Sequence, residues 1–401
     1  MITPPPARAH RRRALAGFVL LGFCTVVGFS YSARTDSRKS SIDGAVLSGA
    51  PVPHRASVLD GSWMSSVETW MSERVLGRNS WLSLHAAISQ DVLRVGVLNN
   101  IALDRESGMQ FERPPAVKVR SDLGSLAARL GDDVRAGNSI PLFVYVPRKE
   151  EVFADRLPQV WPNTYLTVKP RVIDQLSSGG EVLDLTPILS GKARDRSYYL
   201  TDHHWTPQGA LTALDAIAAK AGSLGVRLGA MPTLRDRSYR AYYGSYARRV
   251  TAAGTAKPDP FVVPTPTRWS GQLCKAGRCV DPFYPKIANS QDLYVNRYAA
   301  FLGGDVGYQE LVNPSPSAHG TVLVLKDSYG LPLVAYLAQR ASRVVALDER
   351  KYRGPRIREL VATLKPDLVL IAHNERTLLG DPSFDPSVWF RDTALAPGAT
   401  G

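Results

Sequence analysis

The chain has 401 residues, 44% of them hydrophobic, with 29 prolines and 32 glycines. This size and composition are typical of a globular, loop-rich protein of one large or two ordinary domains. They exclude a small protein that cannot bury a hydrophobic core. The net charge of +13 indicates an anionic partner, such as nucleic acid, an anionic membrane surface or an acidic polymer. No basic run interleaved with aromatic residues follows residue 40, so the charge is spread out.

The N-terminus indicates the compartment. Residues 1–13 end in three arginines and precede an apolar stretch, residues 14–33. Its length suits either a membrane-spanning anchor, whose basic flank stays in the cytoplasm, or a cleaved signal peptide. Both interpretations place everything after residue 34 outside the cytoplasm, in a single-pass cell-membrane protein or a secreted one, and argue against a nucleic-acid partner.

A linker over residues 34–57 is predicted to precede a catalytic domain over 58–393. Apolar residues at helical spacing predict helices at about 62–89 and 119–135. Short apolar runs predict strands at 95–103, 140–146 and 182–185, the last followed by a helical turn. Arg148 and Lys149 follow the second of these strands and are either ordinary solvated charges or contacts for an anionic glycan.

The loop from Tyr199 to Pro207 carries an acid two residues before a histidine, directly ahead of a helix start. Thr206 is a natural N-cap, and proline suits the first helical position. A carboxylate near an imidazole fixes its tautomer and stabilises the imidazolium, as a general base requires. Asp202 and His204 are therefore predicted as the acid and the base.

The neighbours of this pair have less specific roles. His203 is expected to pack or hydrogen-bond locally. Asp202, His203 and His204 could together bind a metal, but a further ligand group at suitable spacing is missing from the sequence, so no metal is predicted. Trp205 either wedges the loop into the core or offers a platform for a sugar ring.

Between Met231 and Asn296 the pattern breaks into short aromatic and proline-rich pieces, which predicts a loop-rich insertion. Cys274 and Cys279 lie within it, and two cysteines this close in an exported domain predict a disulfide that closes a small hairpin. Half of a metal site is the alternative interpretation.

A second chemical stretch lies at residues 321–332, where five β-favouring residues predict a buried strand and a tight turn leads into a helix from about Leu331 to Arg340. Ser328 would lie at the junction, where a helix N-terminus favours the negative charge of an oxyanion. Ser328 could instead be a simple N-cap. We interpret Ser328, His204 and Asp202 as a catalytic triad, with Asp327 orienting the serine.

Strands at 343–347 and 367–371 flank a basic helix at 354–364, and residues 394–401 form a flexible tail. The last strand leads to Asn374, which either donates to the oxyanion or merely ends the strand. Alternating strands and helices predict an α/β fold, a doubly wound parallel sheet flanked by helices, with its site at the carboxyl ends of the strands. Ser328 and Asn374 both fall at such ends.

Three stretches, residues 200–206, 301–304 and 325–329, resemble the family named for its Asp-His-His-Trp motif. That family is similar to the alginate O-acetyltransferase proteins of the SGNH-hydrolase superfamily. The resemblance spans about residues 62–379 and includes 146–149 and 243–246. Lys326 replaces the glycine of the alginate-type motif, and Asp305 stands where the Asp-His-His-Trp family favours asparagine.

The resemblance implies an SGNH-hydrolase-like fold in which Asp202, His204 and Ser328 match the acid, base and nucleophile. The candidate oxyanion or substrate contacts are Asn374, Tyr329, Gly304, Trp205, Arg148 and Lys149.

These observations predict a serine-dependent O-acyltransferase, with acetyl as the acyl group, that acts outside the cytoplasm on a cell-surface or extracellular polysaccharide through an acyl-Ser328 intermediate. No cofactor is required. The resemblance implies a membrane-bound O-acyltransferase as the acyl donor. The alternatives are a carbohydrate esterase (deacetylase) of the same fold and a non-catalytic glycan-binding or assembly protein.

Overall fold

The computed structural model describes residues 17, 19–20, 22, 39–40, 42–74, 77–113, 119–159, 161, 164–255, 257–374, 377–378 and 389–390. Most of the predicted apolar segment 14–33 and the whole tail 394–401 lie outside these residues. Among the described residues, no helix combines the length and the apolar character needed to cross a membrane. The chain divides into two compact units, Met1–Arg94 and Val95–Gly401.

The described part of the first unit consists of short elements. These are β1 (Lys39–Ser40), β2 (Ala45–Val46), α1 (Arg55–Leu59), α2 (Ser62–Glu73) and α3 (Arg78–Ala87), followed by a π-helical turn at Ile88–Val92. The single helix predicted over 62–89 is therefore divided. Gly77 precedes α3 with φ 68°, a left-handed value that glycine adopts without strain. The predicted start of the catalytic domain, residue 58, lies in this unit.

The second unit contains every candidate site residue. Its strands are β3 (Val97–Leu98), β4 (Ile101–Leu103), β5 (Gln110–Glu112), β6 (Ile140–Val146), β7 (Glu181–Asp184), β8 (Leu234–Tyr242), β9 (Asp259–Pro266), β10 (Gln272–Lys275), β11 (Arg278–Val280), β12 (Tyr308–Val312), β13 (Thr321–Lys326), β14 (Arg343–Asp348) and β15 (Leu368–Asn374). Its helices are α4 (Leu123–Ala136), α5 (Lys149–Val152), α6 (Thr164–Ser177), α7 (Thr186–Leu189), α8 (Arg194–Ser197), α9 (Pro207–Ser223), α10 (Ser245–Val250), α11 (Pro285–Ala288), α12 (Gly330–Leu337) and α13 (Ile357–Leu364).

The central sheet has the strand order β11-β10-β12-β14-β13-β15-β6-β7. The strands β14, β13, β15, β6 and β7 are parallel to one another, whereas β12, β10 and β11 extend one edge by antiparallel pairing. The predicted doubly wound parallel sheet is confirmed. Its antiparallel edge was not predicted, and β10 and β11 come from the segment predicted as an insertion.

Both faces of the sheet are covered by helices. On one face Val324 packs in a core with residues of α9 and α12, and on the other Leu323 and Leu325 pack with residues of α4, α6 and α13. Strands buried on both faces need apolar side chains at successive positions, which explains the continuous hydrophobic runs within β6, β13 and β15.

The strand predicted over 95–103 is instead a hairpin of β3 and β4. Asn99 and Asn100 form its turn with φ values of 49° and 63°. Asparagine adopts this left-handed conformation more readily than most residues, and two such residues in sequence reverse the chain direction.

The disulfide predicted between Cys274 and Cys279 is present, and its cysteines face each other across the β10–β11 pair. In protein exported to an oxidising compartment we expect both thiols to be oxidised. Reduction should lower the free energy of unfolding by about 2 kcal/mol, because the bridge closes a short loop of the unfolded chain. Mass spectrometry after alkylation without reductant measures the oxidation state, and two alkylated thiols would contradict the prediction.

Candidate active site

The loop that carries Asp202 and His204 is closed at its base by an antiparallel bridge between Tyr198 and Trp205. Trp205 is fully buried, and its indole N–H donates to the Tyr329 carbonyl at 3.0 Å. The interpretation of Trp205 as a sugar platform is therefore wrong, because the side chain wedges the loop against the segment of Ser328. The loop then enters α9, where Thr206 accepts a hydrogen bond from the Gly209 amide at 3.0 Å, as predicted for an N-cap.

The three residues predicted as a triad meet in an unbroken chain of hydrogen bonds. His204 Nδ1 lies 2.8 Å from Asp202 Oδ1, and His204 Nε2 lies 2.9 Å from Ser328 Oγ. Asp202 and His204 are both buried, whereas Ser328 faces a cavity. These distances place the imidazole where it can take a proton from the serine while the carboxylate supports its opposite nitrogen.

The Asp202 carboxylate is held from a third element that was not predicted to contribute. The Ser245 amide donates to Asp202 Oδ2 at 3.0 Å, and the Ser245 hydroxyl donates to Oδ1 at 3.2 Å. A Cβ atom added at Gly244 would lie 2.4 Å from that of Asp202, so only glycine fits there. Burial acts to raise the pKa of Asp202, but the charges of His204 and His203 and the hydrogen bonds of His204 outweigh it and hold the pKa well below its usual range.

The His204 ring packs against other rings. Tyr298 stacks on it with a centroid distance of 4.0 Å and an interplanar angle of 13°, and the His203 ring lies 3.7 Å away on a tilted plane. His203 Nδ1 is 2.6 Å from the Ser245 hydroxyl. His203 therefore makes local contacts, as predicted from the sequence. The contact of Tyr298 with a histidine distant in the chain could not be predicted from the sequence.

Ser328 lies on the turn between β13 and α12. Asp327 shapes this turn, because its carboxylate accepts hydrogen bonds from the backbone N–H of Tyr329 at 2.9 Å, the backbone N–H of Asn374 at 2.6 Å and the Thr377 hydroxyl at 2.7 Å. The Ser328 amide N–H makes no hydrogen bond within the described part of the chain. That N–H is available to an oxyanion at the start of α12.

The serine and histidine open onto a cavity of about 340 Å³. Three of the predicted contacts line it, Gly304, Tyr329 and Asn374. His203 and Asp327, which were predicted to act locally and to orient the serine, also line it, together with residues for which no role was predicted: Asn296, Tyr298, Asp305, Leu331, Arg350 and Thr377. The Tyr329 hydroxyl donates to the His203 carbonyl at 2.7 Å, so it ties the two sides of the cavity together.

Two predicted oxyanion or substrate contacts, Arg148 and Lys149, are buried away from this cavity. Arg148 pairs with Glu112 and Glu150. The Lys149 ammonium donates to the carbonyls of Tyr199 at 3.0 Å, Leu200 at 3.0 Å and Asp202 at 2.9 Å. Both interpretations of Arg148 and Lys149, as ordinary solvated charges and as contacts for a glycan, are therefore wrong, because the turn after β6 buries both side chains behind the loop of Asp202.

Lys149 positions that loop, and we expect its replacement to be costly. An ammonium group has three N–H donors, and all three are used on loop carbonyls. Burial lowers the pKa of Lys149 to about 8, against the opposing charges of Glu150, Asp259 and Asp202. Lys149→Met should lower the free energy of unfolding by about 2 kcal/mol and ester turnover at least tenfold, because the carbonyls lose their donor. Urea unfolding and ester turnover measure the two losses. The control is Lys220→Met, in an exposed ion pair, which should match the parent. Parent-like values for Lys149→Met as well would contradict the prediction.

The side-chain amide of Asn374 uses its N–H groups within the protein. Its Nδ2 donates to the carbonyls of Val146 at 3.0 Å and Pro147 at 3.2 Å. The prediction of Asn374 as an oxyanion donor is therefore wrong for this arrangement, because the side chain ties the ends of β15 and β6 together.

An ion pair between a fully buried lysine and a partly exposed aspartate lies at the wall of the cavity. Lys326 Nζ is 2.9 Å from Asp305 Oδ1, and Arg350 Nη2 is 3.5 Å from Asp305 Oδ2. Burial acts to raise the pKa of Asp305, but the charges of Lys326 and Arg350 outweigh it and hold the pKa below its usual range. Asp305 is thus ionised at neutral pH and is an acceptor, not a donor, at the position where the resembling family favours asparagine.

One group among the described residues has the proximity that a metal ion needs: ligand atoms of Asp202, His203 and His204 lie within 4.8 Å of one another. Three of the ring nitrogens have protein partners: both Nδ1 atoms face Asp202 or Ser245, and His204 Nε2 faces Ser328. The chemistry derived below uses those hydrogen bonds and does not depend on a metal.

A mostly parallel sheet covered on both faces, with a serine on the turn after one strand and an Asp-x-His loop facing it, defines an SGNH-hydrolase-like domain. Residues 116–264 match the family model described as the SGNH hydrolase-like domain of acetyltransferase AlgX. The matched segment includes Asp202 and His204 and ends before Ser328.

Two solved structures are similar to this chain. A DHHW family protein from Eubacterium siraeum is 17% identical, with a TM-score of 0.53 over 69% of this chain and 90% of that chain. Bacillus cereus PatB1, in its structure with a sulfonyl adduct, is 18% identical, with a TM-score of 0.58 over 70% of this chain and 96% of that chain. No curated protein matches the sequence. The predicted resemblance is confirmed, and at these identities it establishes the fold.

Proposed function

We propose that the protein is a serine-dependent O-acyltransferase that moves an acetyl group onto a cell-surface or extracellular polysaccharide through an acyl-Ser328 intermediate. The observation that carries this proposal is the continuous hydrogen-bonded series from Asp202 through His204 to Ser328 at the wall of an open cavity. A serine that only capped a helix would not need a buried imidazole and carboxylate aligned behind it.

In the first half-reaction His204 Nε2 takes the proton of Ser328 as Oγ attacks the acyl carbonyl carbon of the donor. Asp202 stabilises the resulting imidazolium through Nδ1, and the Ser328 amide N–H faces the developing oxyanion. Collapse of the tetrahedral intermediate breaks the bond to the leaving group, which receives the proton from His204. The acyl group remains on Ser328.

In the second half-reaction a hydroxyl of the acceptor occupies the place of the leaving group. His204 takes its proton, the hydroxyl oxygen attacks the acyl carbon, and Ser328 leaves with the proton returned to Oγ. Attack by water instead yields free acetate, so the same residues serve a transferase and an esterase. The outcome depends on which nucleophile the cavity holds.

The location and partners are part of this proposal. The Cys274–Cys279 disulfide and the apolar segment at residues 14–33 favour a domain outside the cytoplasm. The net charge of +13 favours an extended polar or anionic chain as the acceptor. We also propose a membrane-bound O-acyltransferase as the source of the acyl group, anchoring by residues 14–33, and a catalytic domain ending near residue 393.

The test uses the full-length protein, a chromogenic acetyl ester and oligosaccharides prepared from surface glycans. We expect mass spectrometry to find an acetyl group on the peptide that contains Ser328, and acetylated sugar to accumulate. Acetate alone with every glycan would favour the esterase, and the absence of any acyl-enzyme would favour a binding protein.

A further inference from the structure

Asp305 places an ionised carboxylate in the wall of the catalytic cavity, together with Ser328 and His204. Its side chain is 19% exposed, whereas its partner Lys326 is 0% exposed and does not line the cavity. Within the described residues, Lys326 Nζ makes its hydrogen bond to Asp305 alone. A fully buried cation is unfavourable unless it is paired, so this arrangement commits a lysine to holding one carboxylate at the cavity surface.

The two aspartates that line the cavity differ in their capacity to bind a substrate. The Asp327 carboxylate already accepts three hydrogen bonds from the protein. Asp305 Oδ1 accepts one, from Lys326, and Oδ2 lies 3.5 Å from Arg350, beyond ordinary hydrogen-bond length. Because a carboxylate offers about four acceptor sites, Asp305 retains sites for further donors.

A carboxylate that accepts but cannot donate selects for a ligand rich in O–H groups. It repels the oxyanion and any anionic group placed against it, and it forms charge-assisted hydrogen bonds with hydroxyls. Water in the cavity can use the same acceptor, but a polyol that bridges Asp305 and the acyl-serine is also oriented for attack.

Resting on the proposed function, we infer that Asp305 selects the molecule that receives the acyl group. Its carboxylate binds non-reacting hydroxyls of a neutral sugar while a neighbouring hydroxyl of that sugar attacks acyl-Ser328. The reacting proton still passes to His204, and Asp305 takes no proton. Lys326 acts through Asp305 as a positioning residue, because it orients the carboxylate and keeps it charged.

The test compares the parent with the double variant Asp305→Asn/Lys326→Met, which removes both charges and leaves none buried without a partner. Each protein is acylated with p-nitrophenyl acetate in the presence of a neutral oligosaccharide, and the ratio of acetylated sugar to acetate is measured. Since this ratio is taken within each variant, a change in total turnover cancels. We expect it to fall about tenfold or more in the double variant, as expected for the loss of a hydrogen bond to a charged group.

Methanol provides an internal control, because it offers a single hydroxyl and has none left for Asp305 after it attacks. The ratio of methyl acetate to acetate should change less than about twofold in the same variant. A matched control is Asp184→Asn/Lys169→Met, the same substitutions in a 2.7 Å ion pair that does not line the cavity, and its sugar ratio should equal that of the parent. Thermal unfolding of all three proteins verifies that they fold.

If the sugar ratio of the double variant equals that of the parent, or falls in step with the methanol ratio, the inference is wrong while the acyltransferase proposal stands. If no acyl-Ser328 forms in the parent, both are wrong. If the parent releases only acetate, the second measurement is kcat/KM for hydrolysis of an acetylated neutral oligosaccharide divided by that for p-nitrophenyl acetate. The same contact then requires this quotient to fall about tenfold in the double variant, and an unchanged quotient overturns it.

Discussion

Ser328→Ala is expected to abolish hydrolysis of p-nitrophenyl acetate and to leave no acyl-enzyme, while the protein stays folded. Only the hydroxyl is removed, and the turn around it is held by the Asp327 carboxylate and not by Ser328 Oγ. Loss of the nucleophile in a serine triad lowers kcat by roughly 10⁵-fold or more, so turnover should fall to the background rate. Ester turnover and the mass of the intact protein after acylation measure the two effects.

The matched control for this change is Ser317→Ala, which removes a hydroxyl from an exposed loop outside the cavity. It should keep parent turnover. Equal turnover by Ser328→Ala and the parent would show that another residue is the nucleophile, and a lower melting temperature in Ser328→Ala alone would indicate a structural role for the hydroxyl.

Asp202→Asn is expected to leave a folded protein whose turnover is lower by roughly 10⁴-fold, the effect of the same change in other serine triads. An asparagine amide can donate its NH₂ to His204 Nδ1, and this favours the tautomer that carries its proton on Nε2 and cannot accept the proton of Ser328. The neutral amide also does not stabilise the imidazolium as the carboxylate does. Ser245 makes two hydrogen bonds to the Asp202 side chain, so the substitution can also change the stability of the protein. Circular dichroism and urea unfolding should therefore accompany the kinetics.

His203→Ala is the control for the choice of histidine. Its ring packs on His204, and its Nδ1 contacts the Ser245 hydroxyl, but it has no contact with Ser328 in the hydrogen-bond series. Turnover should therefore fall by much less, about tenfold at most. A larger loss in His203→Ala than in Asp202→Asn would mean that His203 is the base.

The parallel strands were predictable because burial on both faces leaves a direct mark on the sequence, a continuous apolar run such as Ile140–Val146 or Thr321–Leu325. The antiparallel edge was not, since β10 and β12 are short, and their pairing is decided by which strand edge is left open beside β14. The turn at Asn99 and Asn100 was missed because the apolar residues on both sides of the two asparagines resemble one continuous strand. The left-handed φ values that reverse the chain are visible only in the structure.

The sequence by itself determined the three residues proposed to react. Asp202 and His204 are two residues apart ahead of a helix start, and Ser328 follows a buried strand, so local geometry and chemical type suffice to single them out. Only the tertiary structure decided what surrounds them. Ser245 on Asp202, Tyr298 on His204 and Lys326 behind Asp305 are contacts between distant segments of the chain. It also turned the charges of Arg148 and Lys149 inward, because whether a charged side chain meets solvent or a carbonyl depends on the packing around it and not on the residues beside it in sequence.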